Sequence, residues 1–335
     1  GAVLKSKGDL DGAIDSYKQA LRIKPDYAAA YSNMGNALKD KGDLEAAVES
    51  CTQALKIKPD YPEAYINMGN TLINMVFTRP HSGLQEIITA MLGSKNYVRP
   101  KDISNASISL LKLEPVIIGL FENFSTGKGE SSFEKLISNL SEVPLLFKLM
   151  GLCPLADLEL EIVLMDVRST FLLSISEISS SPEVLRFQSA LALQCFINEY
   201  IYNQTDKETK ALSALEAAVE QALLKGEQPS PQSILCLASY KALHIYAWYD
   251  LLTVNAGIKE VFIRQALEPK QEAQLKSDIP ALKEITNKVS SKVRKQYEES
   301  PYPKWVNVKL DLIPAPIVRV IREIKLKLCD IAIND

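Results

Sequence analysis

Histidine is nearly absent from this chain: His81 and His244 are the only two in 335 residues. They lie far apart, with no cysteine or carboxylate set around either at ligand spacing, so no metal site is expected. Cysteine is sparse as well. Cys51, Cys153, Cys195, Cys236 and Cys329 are dispersed, odd in number and without a Cys-x-x-Cys pair, and they read as core thiols of a reducing cytosol. No excess of positive charge exists: the net charge is -3 and the pI about 5.7, whereas a nucleic-acid partner would want a clustered basic face. A long uncharged apolar run is missing too. The most apolar window, Val143 to Met165, is cut by Lys148, Pro154, Asp157, Glu159 and Glu161, so it cannot span a bilayer. The catalytic signatures Gly-x-Ser-x-Gly, His-Glu-x-x-His and Gly-x-Gly-x-x-Gly do not occur. Gly127-Lys-Gly lacks the strand and the spacing of a phosphate loop, and Ser125 to Ser132 reads as a flexible linker. His81, after Pro80, is expected in a solvated loop.

What is present is a repeat. Gly1, Gly35 and Gly69 align at a spacing of 34 residues, as do Gly8 with Gly42, Ala13 with Ala47, and Pro25 with Pro59. That period is the signature of a tetratricopeptide array, in which each helix-turn-helix unit buries its apolar face only by stacking on its neighbours. The second unit, Ala28 to Tyr61, is complete. Gly35 lets its paired helix approach, Ala47 and Ala54 keep that pair close, and Pro59 closes the unit because proline cannot continue a helix. The first unit enters midway, so the chain reads as a fragment at its N-terminus, and its first residues, already repeat, show no signal peptide. The third unit runs Pro62, Tyr65, Met68, Gly69, Leu72 and departs between Met75 and Pro80, with no second helix of repeat type following. Since fewer than three full repeats are rarely stable alone, Leu72 and Met75 are expected to pack against helices beyond residue 80.

Ala30-Tyr-Ser-Asn-Met-Gly-Asn and Ala64-Tyr-Ile-Asn-Met-Gly-Asn resemble the superhelical repeats of O-linked N-acetylglucosamine transferases. The resemblance implies that Asn33 and Asn67 line a groove and clasp a partner's peptide backbone. A side-chain amide carries donor and acceptor and so can pair with both groups of a peptide unit. The alternative is that these amides only hydrogen-bond the neighbouring helix. Asn36 and Asn70 are similar to groove positions of the carboxylate-clamp type, but Ser32 and Ile66 stand where that clamp wants lysine.

At 47% apolar and 24% charged residues the chain is long enough for two or three domains with real cores. Beyond residue 75 the periodicity stays helical without repeating. Ile103 to Leu113 is one such run. Ser181-Pro-Glu places an N-cap and a first-turn proline ahead of Val184 to Tyr202, apolar almost all round and therefore central. Thr205 and Glu208 form a capping box before a stripe of Leu212, Leu215, Val219 and Leu223, ended by Gly226. Ser230-Pro231 opens a helix expected to carry Leu235 through Trp248. Strand-like alternation is confined to Val306 to Leu312, and Val318 to Leu328 reads as an amphipathic helix. The expected fold class is all-α, a short tetratricopeptide solenoid over 1–75 packed on a non-repeat helical domain over 76–283, with a connector over 284–335.

In that connector Ile285, Val289, Val293 and Tyr297 form a stripe on a helix that stops before Pro301. Tyr297, Pro301, Tyr302, Pro303 and Trp305 then make an aromatic-proline segment suited to docking on a neighbouring domain. Gln296-Tyr-Glu-Glu followed by Pro301-Tyr-Pro resembles the connector of bacterial proteins in which a repeat array and a helical domain precede a class I S-adenosylmethionine-dependent methyltransferase domain. The likeness extends to Gln194-Cys-Phe-Ile-Asn-Glu-Tyr, to Ile279-Pro-Ala-Leu and, more weakly, to Val98-Arg-Pro-Lys-Asp-Ile. No strand leading into a Gly-rich loop occurs before Asp335, so no cofactor residue is carried over and the chain is not expected to be catalytic by itself. Three readings stand: the protein- or peptide-recruiting part of a larger methyltransferase, a stand-alone interaction scaffold, or the repeat region of a glycosyltransferase-like protein.

Overall fold

The structure is a computed structural model that describes residues 1–278 apart from 74, 82, 94–96 and 127–132. Every regular element among the described residues is helical. The first five helices, α1 (Ala2–Ser6), α2 (Leu10–Ile23), α3 (Ala28–Lys41), α4 (Leu44–Ile57) and α5 (Pro62–Leu72), repeat not only a fold but individual bonds. Asp9 and Asp43 cap α2 and α4, accepting from the backbone N–H of Gly12 at 2.9 Å and of Ala46 at 3.2 Å. Gly8 and Gly42 precede these caps with φ of +83° and +92°, the left-handed conformation that glycine adopts without a Cβ penalty. Closing the same turn, the N–H groups of Asp9 and Asp43 each donate at 3.0 Å to the carbonyls of Leu4 and Leu38.

Within a unit the close approach is made at glycine. A Cβ on Gly35 would sit 2.6 Å from Cys51 Sγ and 3.2 Å from the Ala47 carbonyl oxygen of α4. Gly1 faces Tyr17 in the same way, and Tyr17 and Cys51 are themselves one repeat apart. At Gly69 the pattern changes: its neighbours are Val98 and the Met91 sulfur of α6 (Leu84–Gly93). Helix α6 and the strand-free segment around Val98 therefore occupy the side of α5 that a second repeat helix would cover. Leu72 and Met75 are buried there in one core with Leu84, Ile88, Met91 and Leu92. Each such side chain contributes roughly 1.5–3 kcal/mol by leaving water, which is what the unpaired last repeat lacks by itself.

The rest of the helical block follows as α7 (Ser104–Leu111), α8 (Pro115–Thr126), α9 (Phe133–Ser141), α10 (Pro144–Met150), α11 (Leu158–Leu173), α12 (Pro182–Ile197), α13 (Asp206–Leu224) and α14 (Pro231–Ala238). A last run joins α15 (Lys259–Phe262), a π turn (Ile263–Leu267) and α16 (Glu268–Asp278). Helix α12 is central: Val184, Phe187, Leu191 and Cys195 face the large core that begins in the repeats, and Ala192 and Leu193 face a second core under α13 to α15. Its start is the Ser181 cap and Pro182, and the Thr205–Glu208 capping box opens α13. No single described helix is long and apolar enough to cross a membrane.

Several expectations need correction. The central helix ends at Ile197 rather than Tyr202, because Glu199 and Tyr200 take φ of +60° and +57° and turn the chain. Helix α14 stops at Ala238; Leu243–Ile245 and Tyr249–Leu251 are short 3-10 turns, and Tyr246 and Trp248 are buried by stacking on each other at 4.6 Å. Buried Gln265 of the π turn holds that irregular stretch, donating to the carbonyls of Ala192 and Ala238 at 3.0 Å each and accepting from the Leu243 N–H at 3.2 Å. His81 lies outside any helix, as expected, but is only partly exposed: its ring packs edge-on against Phe77, and its Nε2 is buried without a hydrogen-bond partner. Ser125 and Thr126 belong to α8. The rest of the expected linker, the strand-like stretch, the terminal amphipathic helix and the docking segment Tyr297 to Trp305 lie outside the described residues.

A buried ion pair ties α11 to α13. Arg168 and Glu208, each almost wholly excluded from solvent, approach to 3.6 Å. Arg168 also donates to the Asn203 carbonyl at 2.7 Å and lies 4.2 Å from the Tyr240 ring centroid. The Tyr240 hydroxyl donates to Glu208 at 2.7 Å. Burial pushes the Glu208 carboxyl up, but hydrogen bonds from Thr205 and Tyr240 and the Arg168 charge outweigh it and hold the group below its ordinary value.

Candidate peptide-binding groove

Helices α3 and α5 are the first helices of successive units and lie side by side. Asn33 and Asn36 are three residues apart on α3, as Asn67 and Asn70 are on α5, and this spacing puts each pair on one helix face. The structure exposes Asn33 and Asn70 and half-buries Asn36 and Asn67. Asn67 differs from Asn33 in being tied down: its Nδ2 donates to Ser32 Oγ at 3.0 Å and to the Ser32 carbonyl at 3.3 Å. Both the groove reading and the neighbouring-helix reading thus have a residue here. Asn67 fastens α5 to α3 while its Oδ1 has no protein partner among the described residues, and Asn33 is exposed.

Ser32 also explains why the carboxylate clamp is missing. The residue is 1% exposed, sealed between the two helices as the acceptor for Asn67. A lysine there would have to leave this interface to reach a ligand. Ile66 is half-buried and apolar, so the face that carries the four amides has no cation at either clamp position.

Phenols edge the same helices. Tyr27 and Tyr61 stand at the N-caps of α3 and α5, with the ammonium groups of Lys24 and Lys58 over their rings at 5.6 and 4.9 Å. Burial raises the Tyr61 phenol and Glu63 adds to this, while a hydrogen bond with Ser32 opposes it. Tyr65 stacks on Tyr97 with centroids 4.8 Å apart and planes 7° from parallel, fixing the first turn of α5 against the helical block. Sequence reasoning named Ser32 only as an unfilled clamp position and missed its bond to Asn67, and it missed Tyr97, since nothing local pairs Tyr97 with Tyr65. At the far end of α3, Lys5 and Lys39 pair with Asp40 at 2.7 and 3.0 Å and hold its carboxyl below the usual range despite burial. Cys51, Cys153, Cys195 and Cys236 are free and buried, and burial pushes each thiol up to about 12, away from the thiolate form. Cys153 lies in the bend after α10 rather than in a helix.

Residues 1–42 and 35–75 match the family described as TPR repeat. The overlap of the two matches covers Gly35 to Gly42, the stretch shared between successive units. No curated protein matches the chain. The first 75 residues are therefore tetratricopeptide repeats, a protein-interaction module, in a chain whose described residues form an all-α helical fold.

Proposed function

We propose that the chain binds an extended segment of another polypeptide along the α3 and α5 face, with Asn33, Asn36, Asn67 and Asn70 as its peptide-reading side chains. The observation that carries this reading is the solvent-facing amide of Asn33, one repeat from Asn67, on a face without clamp cations. Amide-to-backbone bonds contribute roughly 0.5–1.5 kcal/mol each, so this face favours sequence-tolerant capture of a main chain. The connector motif around Tyr297, Pro301, Tyr302, Pro303 and Trp305 supports a finer reading, in which the chain recruits substrate for a methyltransferase domain and so raises its local concentration. The free buried thiols support a cytoplasmic setting.

The test is selection of a random displayed peptide library on the whole chain, followed by titration of a selected peptide into Asn33→Ala/Asn67→Ala. Binding should weaken about ten-fold or more if two amide contacts are lost, with little change in Tm from Asn33→Ala alone. Unchanged affinity in the double variant contradicts the assignment. The coding DNA downstream of Asp335 tests the finer reading: an open frame running into a strand and a Gly-rich loop supports it, and an immediate stop leaves a scaffold.

A further inference from the structure

Two clefts adjoin on the helical block, one with carboxylates as its charged groups and one that also holds cations. The first, of about 890 Å³, is bounded by Pro80, His81 and Gly83, by α6 and by the start of α10, and its wall holds Glu86, Glu114 and Glu142. Among the described residues lining it there is no lysine or arginine. The second, of about 640 Å³, is lined by Lys148 and Arg186 together with Glu260. Thr89 and Pro144 line both clefts and form their shared lip.

These charges are not spent on each other. Glu86, Glu142, Lys148 and Arg186 make no ion pair among the described residues. Glu114 is positioned by a hydrogen bond from the Gln85 amide, and Arg186 lies 4.6 Å from the Phe147 ring centroid. Like charges gathered unpaired in a concave wall repel one another and focus the field on whatever enters. The first cleft is not arranged for a metal ion: among the described residues no three acidic, histidine or cysteine side chains come together as a ligand set. Its remaining wall, including Pro80, Ala90, Pro144 and Leu145, suits instead the apolar stem of a long basic side chain whose cationic head meets the carboxylates. Half-buried His81 lines the same wall.

We propose that the paired clefts are a second polypeptide-binding site, separate from the repeat groove. A lysine or arginine of an extended partner segment enters the carboxylate cleft, and an acidic residue further along crosses the Thr89–Pro144 lip to meet Lys148 and Arg186. The occupant is thus a segment of another protein with a basic-then-acidic pattern, and charge complementarity sets its direction.

The test titrates the whole chain with fluorescein-labelled 12-residue peptides of alanine and serine. Three carry one arginine and one glutamate separated by two, four or six residues, and one is neutral. At least one of the three should bind about ten-fold more tightly than the neutral peptide. That preference should vanish in Glu86→Gln/Glu142→Gln, fall in Arg186→Gln, and persist in Asn33→Ala/Asn67→Ala. Glu86, Glu142 and Arg186 are exposed, so the variants should keep the parent Tm, which is measured alongside. Equal binding of all four peptides overturns the proposal, as does a preference that survives Glu86→Gln/Glu142→Gln. A preference abolished by Asn33→Ala/Asn67→Ala overturns it too, by moving the site to the repeat groove.

Discussion

At Gly35 the helix pair of the complete repeat has no room for a methyl group. An added Cβ would meet Cys51 Sγ at 2.6 Å, and Cys51 is 0% exposed and cannot move aside. Gly35→Ala should therefore cost about 1–3 kcal/mol in spite of alanine's better helix propensity. Paired with Cys51→Ala it should cost less than the sum of the two single changes, because the second substitution removes the clashing sulfur. Denaturant melts of the four proteins in that cycle check the coupling. The other decisive residue is Glu208. Replacing it by Gln leaves the Arg168 guanidinium buried beside a neutral amide, a loss of roughly 3–5 kcal/mol. Its folded pKa lies below the ordinary 4.5, so the stability it supplies is fully present above that value and is lost as pH falls through the lower, folded one. Tm measured from neutral pH downward should drop more steeply on the acid side for the parent chain than for Glu208→Gln.

At the scale of elements, α6 decides whether the repeats fold. It and Val98 cover the side of α5 at Gly69, and Leu72 and Met75 share their core with it. A fragment ending near residue 73 would expose that core on an array already too short, and should show little helical circular dichroism and no cooperative melt. A cooperative melt from that fragment contradicts the shared core. The 34-residue period made α2 to α5 and their glycines legible in the sequence, because each of those features is local and stated twice, whereas the Asp9 and Asp43 caps came only from the structure. Proline and Ser/Thr caps did the same for the starts of α12, α13 and α14. The ends were harder. Tyr246 and Trp248 keep a helical spacing, yet the chain has left the helix, since Gln265, more than twenty residues away, supplies the bonds that the backbone gives up. The amide ladder was legible as positions, but the asymmetry between Asn33 and Asn67 was not, because it depends on Ser32 across a helix interface. The paired clefts gather Glu86, Glu114, Glu142 and Arg186 from four separate parts of the chain, and no spacing rule links them.

For the whole molecule, the large hydrophobic core of the helical block reaches into α4 and α5, running from Val48 to Tyr202, while α2, α3 and the start of α4 pack around a smaller core of their own. The larger core fixes α5, and Asn67 fastens α3 to it, so on the proposed reading a bound segment meets backbone that is already ordered. The measurement that reaches this claim most directly is hydrogen–deuterium exchange of the whole chain, with and without a peptide selected from the displayed library. The account predicts slowed exchange concentrated in α3 and α5, around Asn33, Asn36, Asn67 and Asn70. Protection that leaves α3 and α5 unchanged and appears only in the helical block would contradict it.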